Sequence, residues 1–269
     1  MNITVIGSSG FIGKEFCKQA VELGYNVYSP VRGDEKLFER DLGNVIYAAG
    51  YGNCGENYLN VLDANCTFLS RLLAEASFES ITYLSSTRVF LDGSTTHEAA
   101  SLVSSFHDKR RLFNLTKLVA EELLLLNSKR SLIIRPSNVY GLALDSELFL
   151  PSIIRDALNK QVVDMYVTPN YSKDYIFVGD LVQTTLQLMK REESGIYNIA
   201  SGENTSALEI AGVLKNTTNC SINWHVKEDI DFFEAIDVSK ISEVIDFKPR
   251  NVLNDLKSMV HEYSQVINN

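Results

Sequence analysis

Gly7-Ser8-Ser9-Gly10-Phe11-Ile12-Gly13 follows directly on the apolar, β-branched run of residues 3–6 and opens a periodic segment that stops at Gly24. A strand, a glycine-rich turn and a helix in that order make a phosphate-binding βα unit. In such a unit Gly7 permits the tight turn, Gly10 lets a pyrophosphate approach the backbone, and Gly13 allows helix and strand to pack closely. The start of the helix adds backbone N–H groups and the positive end of the helix dipole. Ser9, Phe11 and Ile12 complete the loop. Because turn, strand and helix agree, the segment reads as a dinucleotide site rather than a glycine turn without a ligand.

Working outward, the pattern repeats. Short apolar runs at 26–31, 44–49, 80–85 and 131–135 alternate with periodic segments at 58–76 and 108–126. That alternation predicts an α/β fold, a doubly wound parallel sheet. Beyond Gly141 helices are expected at 148–159, 178–190, 206–216 and 253–266, with short strands at 174–178, 196–200 and 222–226. The expected division is a dinucleotide-binding domain of residues 1–141 plus about 174–200. An interleaved small lobe takes about 142–173 plus 201–269. Only eleven residues, Gly33 to Gly43, join the second and third strands. A crossover needs roughly 10–12 residues including its helix. One outer strand is therefore expected to be missing.

The 269 residues carry 25 Lys+Arg against 34 Asp+Glu, a net charge of −9. Such an acidic chain is not expected to hold nucleic acid by bulk electrostatics. No uninterrupted apolar stretch is long enough to span a membrane. The start, MNITVIGSSG, has no basic segment leading into an apolar one, so no secretion signal is expected. Cys17, Cys54, Cys66 and Cys220 are scattered and read as reduced thiols, which makes a cytoplasmic location the expectation. His97, His107, His225 and His261 form neither an i, i+4 pair nor a cluster with cysteine, so no metal site is expected. After the second strand, where a carboxylate usually meets the adenosine 2′-hydroxyl, stand Val31 and Arg32. A guanidinium there suits a 2′-phosphate, so the expected cofactor is NADP, with NAD the alternative.

From these residues onward the chain resembles the extended short-chain dehydrogenase/reductase family, the nucleotide-sugar epimerases, dehydratases and ketoreductases with a Rossmann-like sheet. The resemblance runs nearly end to end. Val45-Ile46-Tyr47-Ala48-Ala49 looks like the strand whose end, with Gly50, passes under the cofactor. Asn65 matches the asparagine at the start of the family's central helix. Ser85-Ser86-Thr87-Arg88-Val89-Phe90 resembles the S-S-x-x-V-Y segment, with Ser86 in the catalytic place and Thr87 beside the substrate. Arg135-Pro136-Ser137-Asn138-Val139-Tyr140-Gly141 is similar to R-x-x-N-V-Y-G, which implies Pro136 near the nicotinamide and Asn138 near the sugar diphosphate. Lys173-Asp174-Tyr175-Ile176-Phe177-Val178 is similar to R-D-Y-I-x-V, implying that Lys173 and Tyr175 help to cap that diphosphate. The resemblance also implies a homodimer in which the helices near 58–76 and 108–126 pair; the alternative is a monomer that buries those faces internally.

The family's catalytic pair is Y-x-x-x-K, and the matching segment here reads Phe113-Asn114-Leu115-Thr116-Lys117. Phe113 and Lys117 share a helix face, but phenylalanine cannot donate the proton that a tyrosine gives to a carbonyl oxygen. Three readings stay open: an inactivated variant, an enzyme with a substitute acid, or a silent NADP-binding regulatory or scaffold protein. Thr87, His107, Tyr51 and Tyr140 are the candidate substitutes. The expected activity is NADPH-dependent reduction of a 4-keto group on a nucleotide-linked deoxysugar, with Lys117 on the nicotinamide ribose and Ser86 on the sugar carbonyl. An epimerase or dehydratase that retains NAD is the alternative enzyme.

Overall fold

A computed structural model describes residues 1–267 apart from 56, 92, 94, 145 and 229–232. In chain order the first half holds β1 (Asn2–Ile6), α1 (Phe11–Glu22), β2 (Asn26–Tyr28), β3 (Asn44–Tyr47), α2 (Tyr58–Leu62), α3 (Phe68–Glu75), β4 (Ser80–Leu84), α4 (Arg111–Leu125) and β5 (Arg130–Pro136). There follow β6 (Asn138–Tyr140), α5 (Phe149–Asn159), β7 (Val162–Met165), β8 (Ser172–Phe177), α6 (Val178–Lys190) and β9 (Gly195–Ile199). The chain closes with β10 (Asn204–Ser206), α7 (Ala207–Thr218), β11 (Ser221–Trp224), α8 (Ser239–Val244) and α9 (Val252–Ile267).

Six parallel strands form the central sheet in the order β2-β1-β3-β4-β5-β9. Alternate residues of each strand serve opposite faces. Ile3, Val5, Leu132 and Ile134 join one apolar core, under α1 and α6. Val45, Tyr47, Ile81, Tyr83 and Ile133 join the other, under α3 and α4. The sheet ends at β2. Residues 33–43 make a short 3-10 turn, Glu35–Phe38, and bury Leu37 and Leu42 against the second core where a further strand would otherwise lie.

A separate apolar core gathers α5, β7, α7, α9 and the inward residues Tyr140 and Tyr175. Beside it β6 and β10 flank β8 in a small three-stranded sheet, and β7 pairs with β11. Residues 238–247, assigned by sequence to the small lobe, instead pack on the first core, with α8 against β9. Ile241 and Ile245 give that short helix an apolar face, and the edge of the large sheet is the nearest surface for it. Among the described residues no helix is long and apolar enough to cross a membrane.

One buried ion pair ties the layers together. Arg135 of β5 binds Glu121 of α4 through Nε at 3.0 Å and Nη2 at 2.6 Å, with both side chains almost wholly buried. The Ser85 hydroxyl also donates to Glu121, and Arg135 Nη1 donates to the Glu98 carbonyl at 3.2 Å. Removing one partner of such a pair strands the other charge in a dry interior. Glu121→Gln is therefore expected to cost about 3–5 kcal/mol of stability, read as a lower urea midpoint. An unchanged midpoint would show that the pair does not hold the layers.

Candidate active site

The turn after β1 is held by backbone contact. Gly7 has φ +86°, and a Cβ on it would lie 2.7 Å from the backbone of Ala48 and Ala49. Gly10 N–H donates to Gly7 O at 3.0 Å and sets the N-cap of α1. The first turn leaves the N–H groups of Phe11, Ile12 and Gly13 without acceptors inside the helix. The turn that precedes them lines a cleft of about 600 Å³ at the end of the sheet. Gly7, Ser8, Ser9 and Gly10 form its floor, Ala48, Ala49, Gly50 and Tyr51 one wall, and Val31 and Arg32 the far end. A pyrophosphate fits this cradle because the glycines keep Cβ atoms out of it.

Beneath the wall lies a clamp. Asn65 is fully buried; its Oδ1 accepts from Tyr51 N–H at 3.2 Å and its Nδ2 donates to Tyr51 O at 3.1 Å. The same Nδ2 donates to Thr116 Oγ1 at 3.0 Å, joining the loop to α4. Asn65 occupies a single π-helical turn, Asp63–Thr67, between α2 and α3. Such a turn re-aims one side chain without ending the helix. Lys117 sits behind Gly50, its Nζ 2.8 Å from where a Gly50 Cβ would be, and donates to Leu84 O at 2.7 Å. Burial pushes its ammonium down to about 7. Its Nζ lies 4.6 Å from the centre of the Tyr83 ring and 5.6 Å from that of Phe113.

A second, smaller cleft of about 100 Å³ holds Ser86, Thr87, Arg88, Arg110, Asn138 and Lys173 on its walls. Ser86 Oγ accepts from Arg88 N–H at 3.2 Å and caps the 3-10 turn Thr87–Phe90. Asn138 donates to Asp174 O at 2.7 Å. The Asp174 carboxylate accepts from Ser201 N–H at 2.8 Å and Gly202 N–H at 2.7 Å; burial pushes its pKa up and these bonds oppose the push. Lys173 lies over the Phe233 ring. Phe113 is buried, and the Arg110 guanidinium carbon lies 4.6 Å above its ring. Desolvation and the neighbouring Arg88 hold Arg110 below its ordinary pKa. Gly52 packs beside Arg110 and Phe113: a Cβ on it would meet Arg110 Nη2 at 3.1 Å and Phe113 Cε2 at 3.5 Å.

The structure thus gathers most residues singled out from sequence around the ends of β1, β3, β4 and β5. Others lie elsewhere. Tyr175 is 7% exposed within the separate apolar core and lines neither cleft, whereas Lys173 lines the smaller one. Phe11 turns its ring to a groove beside Gly141, and Ile12 packs on the first core, so neither side chain lines the larger cleft. Pro136 is paired with Ile199 inside the sheet. Of the proposed substitute acids, Tyr140 donates to Asp255 at 2.7 Å in the separate core, and His107 lies against Phe106. Tyr51 and Thr87 line the clefts. Sequence reasoning missed Arg110 and Asp108, whose carboxylate binds Arg88 at 2.6 Å and Asn114 at 2.8 Å. Their spacing from Phe113 was the available signal.

Residues 3–200 match the NAD dependent epimerase/dehydratase family. The chain is 23% identical to a dTDP-4-dehydro-6-deoxy-D-allose reductase of a Streptomyces species, across 97% of this chain and 95% of that one. It is 27% identical to UDP-glucuronic acid decarboxylase 2 of Arabidopsis thaliana, across 49% of this chain and 31% of that one. Among solved structures it is similar to MoeE5 in complex with UDP-glucose and NAD, with a TM-score of 0.86, 20% identity and 100% of both chains covered. It is similar also to a tyrosine-to-phenylalanine mutant of UDP-glucuronic acid 4-epimerase from Bacillus cereus, in complex with UDP-4-deoxy-4-fluoro-glucuronic acid and NAD. There the TM-score is 0.83 at 18% identity, over 99% of this chain and 100% of that one. At such identities the structural likeness speaks for the fold alone.

The buried ammonium has a measurable consequence. Burial holds the Lys117 ammonium down at about 7 in the fold, against its ordinary 10.5 in an unfolded chain. Between those values the unfolded chain binds more protons, so stability rises with pH from about 7 to about 9.5. The wild type should gain stability over that range relative to Lys117→Met, measured by urea unfolding. Parallel pH curves for the two proteins would contradict the assignment.

Proposed function

Since the chain belongs to the NAD dependent epimerase/dehydratase family, we propose that it reduces a 4-keto group on a nucleotide-linked deoxysugar with NADPH. The observation that carries this reading is the loop Gly50–Gly52: Gly50, backed by Lys117, lines the larger cleft with Tyr51, and Gly52 abuts Arg110, which lines the smaller cleft with Ser86. The larger cleft has the glycine cradle that a pyrophosphate needs and Arg32 where a 2′-phosphate would lie. The smaller has Arg88, Arg110 and Lys173, three cations suited to a sugar nucleotide's diphosphate. The reductase similar over nearly the whole chain supports the reduction.

When bound, NADPH supplies the hydride. The backbone N–H groups at the start of α1 hold its pyrophosphate, Arg32 the 2′-phosphate and Lys117 the nicotinamide ribose. Ser86 donates a hydrogen bond to the sugar carbonyl, and Asn138 steadies the substrate beside Asp174. Phe113 fills the place from which a phenol would give the proton, so in this chain the proton that completes the reduction comes from water or from Tyr51 or Thr87 on the cleft walls; a phenol at 113 would have its pKa lowered by Lys117. The separate apolar core and its helices form the lobe that closes over the sugar nucleotide.

Phe113→Tyr returns the missing oxygen without touching the cofactor cradle. Turnover is expected to rise about 10²–10⁴-fold, measured as NADPH consumption against a panel of 4-keto-6-deoxy sugar nucleotides. Equal turnover by both forms would assign the proton to another group. No turnover by either, with NADPH bound, would remove the reductase reading and favour a silent binding protein.

The same reading includes a homodimer. Tyr58, Leu59 and Leu62 of α2 and Leu115 and Val119 of α4 leave large apolar side chains exposed on two helices that pack together. Leu59→Asp with Val119→Asp should convert a dimer to a monomer in analytical ultracentrifugation. A wild type that sediments as a monomer would contradict it.

A further inference from the structure

Besides Asp63, on the turn between α2 and α3, the larger cleft is lined by four charged side chains, Arg32, Asp34, Glu35 and Arg71. Three of them are engaged within the protein. Asp34 Oδ2 accepts from the Tyr28 hydroxyl at 2.9 Å, and Oδ1 accepts from Lys36 N–H at 3.1 Å at the start of the 3-10 turn. Glu35 receives both terminal nitrogens of Arg71, which also donates to Glu75 at 3.0 Å and stacks on Phe38 at 4.1 Å. Arg32 is different. Among the described residues it has neither an ion pair nor a hydrogen-bond partner, and it lies exposed in the cleft.

A carboxylate free to accept from the adenosine ribose hydroxyls would favour NAD and repel a 2′-phosphate. Two carboxylates lie at this end of the cleft, and neither is free. The Glu35–Arg71 pair is solvent-exposed on both sides and hence weak. Asp34 is half-buried and tied to β2 by the Tyr28 phenol, whose own ring is covered by Arg40 at 4.1 Å. The short Gly33–Gly43 connection brings this about. With no further strand, the 3-10 turn folds directly beside β2 and places Asp34 within reach of Tyr28.

We propose that Tyr28 is a specificity-determining residue of the cofactor cleft: by holding the Asp34 carboxylate against β2, it leaves Arg32 as the charge that a 2′-phosphate meets. The inference rests on the NADP reading of this cleft. Tyr28 acts through Asp34 and does not itself touch the cofactor, so it is a positioning residue.

Calorimetric dissociation constants of NADPH and NADH for the full-length protein test it. Wild type should favour NADPH by about 10- to 150-fold, and Arg32→Ala should erase most of that difference. Tyr28→Phe keeps the ring and frees the carboxylate, so the preference should fall about tenfold, with NADPH weakened and NADH strengthened. Tyr28→Phe combined with Asp34→Asn should regain NADPH affinity, because no carboxylate is released. An unchanged preference in Tyr28→Phe would overturn the proposal, as would failure of Asp34→Asn to restore NADPH binding. Asp34→Asn alone should keep the wild-type preference; a switch toward NADH there would also overturn it. A wild type that prefers NADH, or binds neither, would instead refute the NADP reading beneath it.

Discussion

Gly13 packs so closely on Gly7 that a Cβ at position 13 would lie 2.1 Å from the Gly7 carbonyl oxygen. No side chain can occupy that space without moving the backbone. The contact presses α1 against the turn that follows β1, and Gly7 in turn touches the end of β3. The other features of the site depend on this packing. It sets the start of α1 beside the turn that lines the cleft, and it fixes where Ala48 and Ala49 leave the sheet. The loop they begin is then caught by Asn65 from one side and backed by Lys117 from the other.

Charges of both signs line the clefts of a chain whose net charge is −9. Four of the acidic side chains at or beside them are engaged by neighbours. Asp34 is held by Tyr28, Glu35 by Arg71, Asp108 by Arg88 and Asn114, and Asp174 by the backbone of Ser201 and Gly202. Each pairing lessens the repulsion a phosphate would meet from that carboxylate, and Arg32, Arg110 and Lys173 lie on the walls. On the proposed function, the response to phosphate is set by this local matching of charges and not by the acidic surface as a whole.

Much of this was legible in the sequence because it is local. The β1 strand, its glycine turn and α1 span one continuous stretch, and parallel strands show as short β-branched runs. The shortened link at 33–43 could be counted directly, and the sheet does end at β2. Phe113 and Lys117 are one helical turn apart, so their shared face followed from spacing. What was hidden depends on distant partners. Tyr175 looks like a site residue by its neighbours, yet β8 runs into the separate apolar core and carries its ring inside. Tyr140 could be a proton donor until Asp255, 115 residues away, is seen to bind it. The π-helical turn around Asn65 leaves no periodic signature, and α8 has too few apolar residues to reveal which core it joins.

The central claim is that one fold joins an NADP-selective cleft to a sugar-nucleotide cleft across the Gly50–Gly52 loop. Mass spectrometry of the small molecules retained by the purified protein tests both halves together. The account predicts NADP or NADPH accompanied by a nucleoside diphosphate sugar. Retention of NAD in their place, or of a ligand with neither a pyrophosphate nor a sugar, would contradict it.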